Sequence, residues 1–195
     1  MMRTSKIVLV GFFGPIITIF LIFLTIRLSP WFTWNVSALS DLGVHPYGYI
    51  FNSALVFEGL MNTIFILYLY SYKAPRMGSI MLLIAGIFLA LVGVFTESFL
   101  LVHWLVALVY FIVFPLGAIA LSYSIRKRYN RFFIFSTALS LVSLVIIMTG
   151  VLADLGPLKI NNVGLSVYEM SEAILLSIWS IYLALGYYFQ KIKFS

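Results

Sequence analysis

Six largely apolar stretches of about twenty residues dominate this sequence: 7–26, 49–70, 78–96, 103–123, 132–152 and 168–189. Wound as an α-helix at 1.5 Å per residue, each matches the roughly 30 Å hydrocarbon core of a bilayer. Only 9% of the 195 residues are charged, against roughly 25% in a soluble domain. A water-facing surface is therefore excluded, and so is disorder, which requires low hydrophobicity. The turns Lys73–Arg76 and Arg126–Arg131 are too short to hold a soluble domain. The first stretch is longer than the apolar region of a signal peptide and no A-x-A cleavage site follows it. It reads as a retained helix, with Gly14-Pro15 as a place for a kink. The fold class is all-α: a polytopic membrane bundle of six transmembrane helices, forming a single domain over residues 1–195.

The charges then set an orientation. With the N-terminus inside, the inner segments hold Arg3, Lys6, Lys73, Arg76, Arg126, Lys127, Arg128, Arg131, Lys191 and Lys193, and the outer ones only Arg27 and Lys159. Basic residues accumulate on the cytoplasmic side, so both termini are expected in the cytoplasm of a multi-pass cell-membrane protein. The net charge of +6 follows from topology, and no nucleic-acid partner is expected, because the cations are scattered between apolar runs. There is no Cys, hence no disulfide, thiolate metal site or cysteine nucleophile.

The acids are distributed in a way that topology does not require. Asp41 is in the first outer loop, Glu97 ends helix 3, Asp154 follows helix 5, and Glu169 and Glu172 open helix 6, all toward the outside. Glu58 lies inside helix 2, with Asn62 one turn on and Asn52 near the outer end. An intramembrane carboxylate costs about 2.5 kcal/mol or more unless paired or neutralised. Glu58 is either part of a cavity wall or proton site, or a structural acid tied to Asn62. Asp41 either caps backbone N–H groups in a tight turn or is presented, with Ser40, to a cavity. Glu97 and His103 flank the turn between helices 3 and 4, where a carboxylate orients an imidazole or the His simply sits at the interface. Ser166-Val167-Tyr168-Glu169 fits an S-x-x-E capping box. Arg27, the outer cation, has the outer acids as partners or a phosphate head group as ligand. Trp31, Phe32 and Trp34 look like an interfacial aromatic anchor. Gly86, Ala90 and Gly93 give helix 3 a face that lets another helix approach closely. With two His in the chain a three-His metal site is impossible; a carboxylate-rich site with one His stays open, and no particular metal or cofactor is predicted.

The stretch VSALSDLG ending at Gly43, Phe51-Asn52, Glu58-Gly59, Gly93-Val94-Phe95 ahead of Glu97 and His103, and Gly164 with Glu169 occur in order at successive helix ends. In these residues, and over essentially the whole chain, the sequence resembles a family of small prokaryotic membrane proteins known only as domain of unknown function 998. The resemblance implies a multi-helix bundle and carries no activity with it. Pro after the Gly-x-Phe and Arg after the last Glu would be expected in many members; this chain has Thr96 and Met170 there.

Three functions remain open. The first is an outward-opening pocket walled by Asp41, Asn52, Glu58, Glu97, His103, Asp154 and Glu169, binding a lipid head group or a cation. If it were catalytic, His103 or an acid would serve as general base in a lipid-directed hydrolase or transferase. The second is a structural or assembly subunit, with other membrane subunits as partners. The third is a proton- or cation-coupled transporter built around Glu58. No G-x-S-x-G, Walker loop or H-E-x-x-H motif is present.

Overall fold

The computed structural model describes residues 6–156 and 163–194. Among them the secondary structure is entirely helical: α1 (Val10–Leu28), α2 (Gly48–Ser71), α3 (Arg76–Val94), α4 (Leu101–Ser124), α5 (Asn130–Asp154) and α6 (Leu165–Tyr188), with short 3-10 turns at Lys6–Leu9, Ser40–Val44 and Glu97–Phe99. All six helices are long and apolar enough to cross a membrane, and each boundary falls within a few residues of the apolar run that predicts it. Arg3 and Lys159, counted in the charge argument, lie outside the described residues.

Large apolar side chains remain exposed on every helix, among them Phe20, Leu60, Met77, Leu105, Val145 and Ile178. Such a surface is stable only against lipid, so this is a multi-pass membrane protein. In water a helix sorts polar from apolar faces; in a bilayer it does not need to. The chain packs each helix on its neighbour in sequence, and α6 returns onto α1 to close the ring. A slighter α4–α6 contact leaves α5 outside, seated against α4 and α6.

Small residues set the closest approaches. A Cβ on Gly59 would lie 2.4 Å from the Ala90 nitrogen and 2.5 Å from the Gly86 carbonyl oxygen, and one on Gly93 would lie 2.5 Å from the Asn52 carbonyl oxygen. The small-residue face of α3 is thus occupied by α2 of the same chain. Pro15 removes one hydrogen-bond donor from α1, and the carbonyl one turn back, Gly11, accepts from the Ser180 hydroxyl of α6 at 3.3 Å instead. Trp179, fully buried, donates its indole N–H to Ser136 of α5 at 2.9 Å.

The ring brings two unlike ends into being. One end gathers Lys6, Lys73, Arg76, Arg126, Lys127, Arg128, Arg131, Lys191 and Lys193; the other gathers Asp41, Glu97, Asp154 and Glu169, with Arg27 exposed at the close of α1. The α1–α2 loop covers the acidic end. It is stitched to the start of α6 by Gly164 N–H to Trp34 O at 2.9 Å and Ser166 N–H to Ser37 O at 3.0 Å. A Cβ on Gly164 would meet Ser37 O at 2.7 Å, so glycine is what permits this approach. Of the three aromatic residues read as an interfacial anchor, Trp31 is exposed and lies over His45 at 4.0 Å between ring centres. Phe32 instead points into the core.

Candidate functional site

Inside the ring is a cavity lined from α1, the α1–α2 loop, α2, α3, α4 and α6. Leu39, Ser40, His103 and Glu169 form its wall at the acidic end, Thr18 and Glu58 lie further in, and Ser177 and Ser180 deeper still. Glu169 and Ser180 are eleven residues apart on α6, so the slot runs about 17 Å along the bundle. It is narrow. About 70 Å³ of it lies far enough from the walls to seat the centre of a water molecule. That is room for about five waters or one slim chain. The remaining wall is aliphatic and aromatic, including Ile22, Phe51, Leu89, Phe111, Phe114 and Leu176.

Glu58 enters this cavity from α2 beside Gly14 of α1. One carboxylate oxygen lies within hydrogen-bonding reach of the Thr18 hydroxyl, whose single proton goes to the Ala54 carbonyl at 3.3 Å. The other, Oε2, is buried without a hydrogen-bond partner. A Cβ on Gly14 would lie 2.7 Å from it, so glycine makes the space the carboxylate occupies. Asn62 does not pair with Glu58, contrary to the one-turn spacing. Its amide donates to Leu82 O of α3 at 3.3 Å, because the tight α2–α3 seam draws that face of α2 away from the cavity.

His103, 8% exposed, lines the same cavity. Its Nδ1 lies 2.6 Å from the Phe95 carbonyl oxygen. A carbonyl only accepts, so Nδ1 carries a proton and donates it to Phe95 O. The Phe95 backbone, and not Glu97, therefore orients the imidazole.

Glu169 is the third cavity group. The capping box is not formed: α6 begins at Leu165, preceded by Gly164, with no side-chain cap. Ser166 reaches Trp34 O at 3.4 Å, and Glu169 Oε2 accepts the Leu39 N–H of the first loop at 2.6 Å. The acid joins α6 to a segment 130 positions earlier in the chain.

The other candidates lie outside the cavity lining. Asn52 donates to Gly43 O at 2.9 Å and pins the first loop to α2. Asp41 Oδ2 accepts from Ala38 N–H at 2.8 Å, as a turn-capping acid does. Glu97 is within hydrogen-bonding reach of Asp41 and Ser40, and Asp154 adds its charge from the end of α5. Burial first, then the neighbouring Asp41 and Asp154, push the Glu97 carboxyl up to about 7. These acids form a rim, with Glu169 in electrostatic reach of all three. Among the described residues no group of three or more His, Asp or Glu side chains is arranged to hold a metal ion.

One buried acid is absent from the site read in the sequence. Glu172 of α6 is 0% exposed, accepts from the Ser143 hydroxyl of α5 at 2.8 Å, and leaves Oε2 without a partner. Its signal was on the facing helix: Ser136, Ser140 and Ser143 recur at helical spacing along α5. A serine stripe buried in a bilayer needs a polar partner opposite.

No curated protein and no solved structure matches this chain. A family profile does, described as a protein of unknown function (DUF998), and it matches residues 12–186, which take in α2 to α5 whole and all but the ends of α1 and α6. The chain is a member of the DUF998 family of membrane proteins.

Proposed function

We propose that the ring cavity is a binding pocket, entered from the acidic end, for a slim amphiphile with an ammonium or hydroxyl head. The observation that carries this reading is the unpartnered Oε2 of Glu58 in a slot shared with His103 and Glu169. A buried acceptor without a donor is costly, by about 1–3 kcal/mol, and an incoming N–H or O–H removes that cost. The rest of the wall is apolar and matches a hydrocarbon segment. The acid rim favours a cationic head over an anionic one. The basic end, by the accumulation of Lys and Arg, faces the cytoplasm in this reading, and the pocket opens on the opposite side.

Thermal melting of the purified protein in neutral detergent, with added long-chain amine, alcohol or carboxylate, tests it. Amine or alcohol raises the melting temperature, since a ligand that binds only the folded state stabilises it. The carboxylate does not, and Glu58→Gln removes the amine effect. Equal stabilisation by the carboxylate, or an unchanged response in Glu58→Gln, refutes the pocket.

One observation favours a second reading, proton coupling. Tyr110, also on the cavity wall, lies in electrostatic reach of both Glu58 and Glu172 and would link two intramembrane carboxyls. The small-residue face of α3 is covered by α2 of the same chain, so it is not a seat for another subunit.

A further inference from the structure

The basic end carries two grooves of its own. One, of about 480 Å³, is lined by Lys73 from the α2–α3 turn, by Arg126, Lys127, Arg128 and Tyr129 from the α4–α5 turn, and by Lys193 beyond α6. The other, of about 660 Å³, shares Arg128 and Tyr129 with the first. It adds Arg131 and Lys191 beside an apolar wall that includes Tyr182, Leu185 and Phe189. No acid lines either groove, and all six acids of the chain lie within the spans or at the opposite end.

Topology accounts for the sign of these charges, not for their convergence. The positive-inside tendency needs basic loops; it does not need three separate segments drawn around one groove. Here the backbone is shaped to do so. Lys73 adopts a left-handed conformation (φ 66°) that ends α2 and lets Ala74 N–H bond Leu69 O at 3.0 Å. Gln190, also left-handed (φ 57°), turns the chain back after α6, and Ile192 N–H bonds Gly186 O at 2.9 Å. Ile192 and Phe194 are buried, and the Phe194 ring stacks on Tyr187 at 5.7 Å. The Tyr129 hydroxyl accepts from Lys193 N–H at 3.0 Å. The segment carrying Lys191 and Lys193 is thus docked, and its cations are held at the grooves.

We infer that the paired grooves bind a phosphate-bearing anion, namely the head group of an anionic phospholipid from the surrounding bilayer. The phosphate sits among Lys73, Arg126 and Lys193, and an acyl chain lies on the wall of Tyr182, Leu185 and Phe189. Basic pockets between transmembrane helices suit such head groups. The apolar wall, with Phe189 63% exposed beside Lys191, favours a lipid over free phosphate. This site is separate from the cavity, and its charge selects the opposite class of ligand.

Native mass spectrometry and thermal melting of the purified full chain test this in four arms: phosphatidylglycerol, phosphatidylcholine, glycerol 1-phosphate and inorganic phosphate. Phosphatidylglycerol is expected to stay bound and to raise the melting temperature, weakening with added salt. The other three have little effect. A Lys73→Gln/Lys193→Gln double variant is expected to bind phosphatidylglycerol roughly 10- to 30-fold more weakly. Its melting temperature in phosphatidylcholine reports that it still folds; if that falls, Lys127→Gln/Arg131→Gln serves in its place. Phosphatidylcholine binding as well as phosphatidylglycerol, or charge-removing variants that bind normally, overturns the site. Glycerol 1-phosphate or inorganic phosphate binding as tightly as the lipid overturns the lipid as its occupant.

Discussion

Single residues in this chain take their roles from partners far away in sequence. Glu169 was legible as an outer acid and as part of an S-x-x-E pattern. Its real partner, the Leu39 N–H, lies in another loop, and no local pattern reports that. Asn62 was legible as a neighbour of Glu58 on the helix surface, yet the carbonyl of Leu82 holds it. Glu58, His103 and Glu169 stood out because polar side chains are scarce in apolar runs, and all three line the ring cavity. Asp41, Asn52, Glu97 and Asp154 stood out for the same reason and lie outside the cavity, since scarcity says nothing about facing. Among the rim acids, Glu97 makes a pH prediction. Its carboxyl is raised from 4.5 to about 7 in the folded protein, so between those values the folded state holds a proton that the unfolded state has lost. Stability from this group is therefore full below about 4.5, falls as pH rises, and is gone above about 7. Melting followed from pH 4.5 to 8 should show this fall, and Glu97→Gln, which cannot titrate, should make it shallower. An unchanged profile in the variant would mean that Asp41 and Asp154 do not act on Glu97 as the geometry indicates.

At the scale of elements, the helices were readable because bilayer thickness dictates their length, and the six apolar runs gave them nearly to the residue. The partner of the small-residue face on α3 was not readable. Spacing shows that something comes close, not whether it is another subunit or α2. The answer, α2, gives a direct prediction. Gly59→Ala places a methyl group within 2.4 Å of the Ala90 nitrogen, and backbone cannot step aside as a side chain can. Forced overpacking costs typically 1–3 kcal/mol. The variant should unfold at lower denaturant in an SDS titration by about that amount. A wild-type midpoint would show that α2 and α3 are further apart than this seam requires. Gly14 and Pro15 of α1 belong to the same scale: they were legible as an irregular spot, while what they provide, space for Glu58 and a carbonyl for Ser180, depended on which helices met there.

For the whole molecule, the division into an acidic and a basic end is the feature that the sequence most nearly contained. Once six spans are drawn, the charges sort themselves. The chain offers a clean way to assign those ends to sides of the membrane, because it has no Cys. Val36, 81% exposed in the α1–α2 loop, and Lys127 at the basic end can each be replaced by Cys singly. A membrane-impermeant maleimide applied to intact cells should label Val36→Cys directly. Lys127→Cys should react only after permeabilisation. The reverse pattern would invert the orientation and place the acidic end in the cytoplasm.

The return of α6 onto α1 also sets a condition on biosynthesis. A chain emerging from the ribosome delivers α1 through α5 before the helix that supplies Glu169, Ser177 and Ser180 exists outside the exit tunnel. Until α6 inserts, the slot around Glu58 is an open furrow facing lipid, and the α1–α2 loop has no Leu39 anchor. The contacts that finish the ring join residues more than 120 positions apart, which are the slowest kind to form. The slot is therefore complete only once α6 has docked on α1 and the first loop. A chain arrested before α6 would hold Glu58 against hydrocarbon, in a form that membrane quality control could recognise.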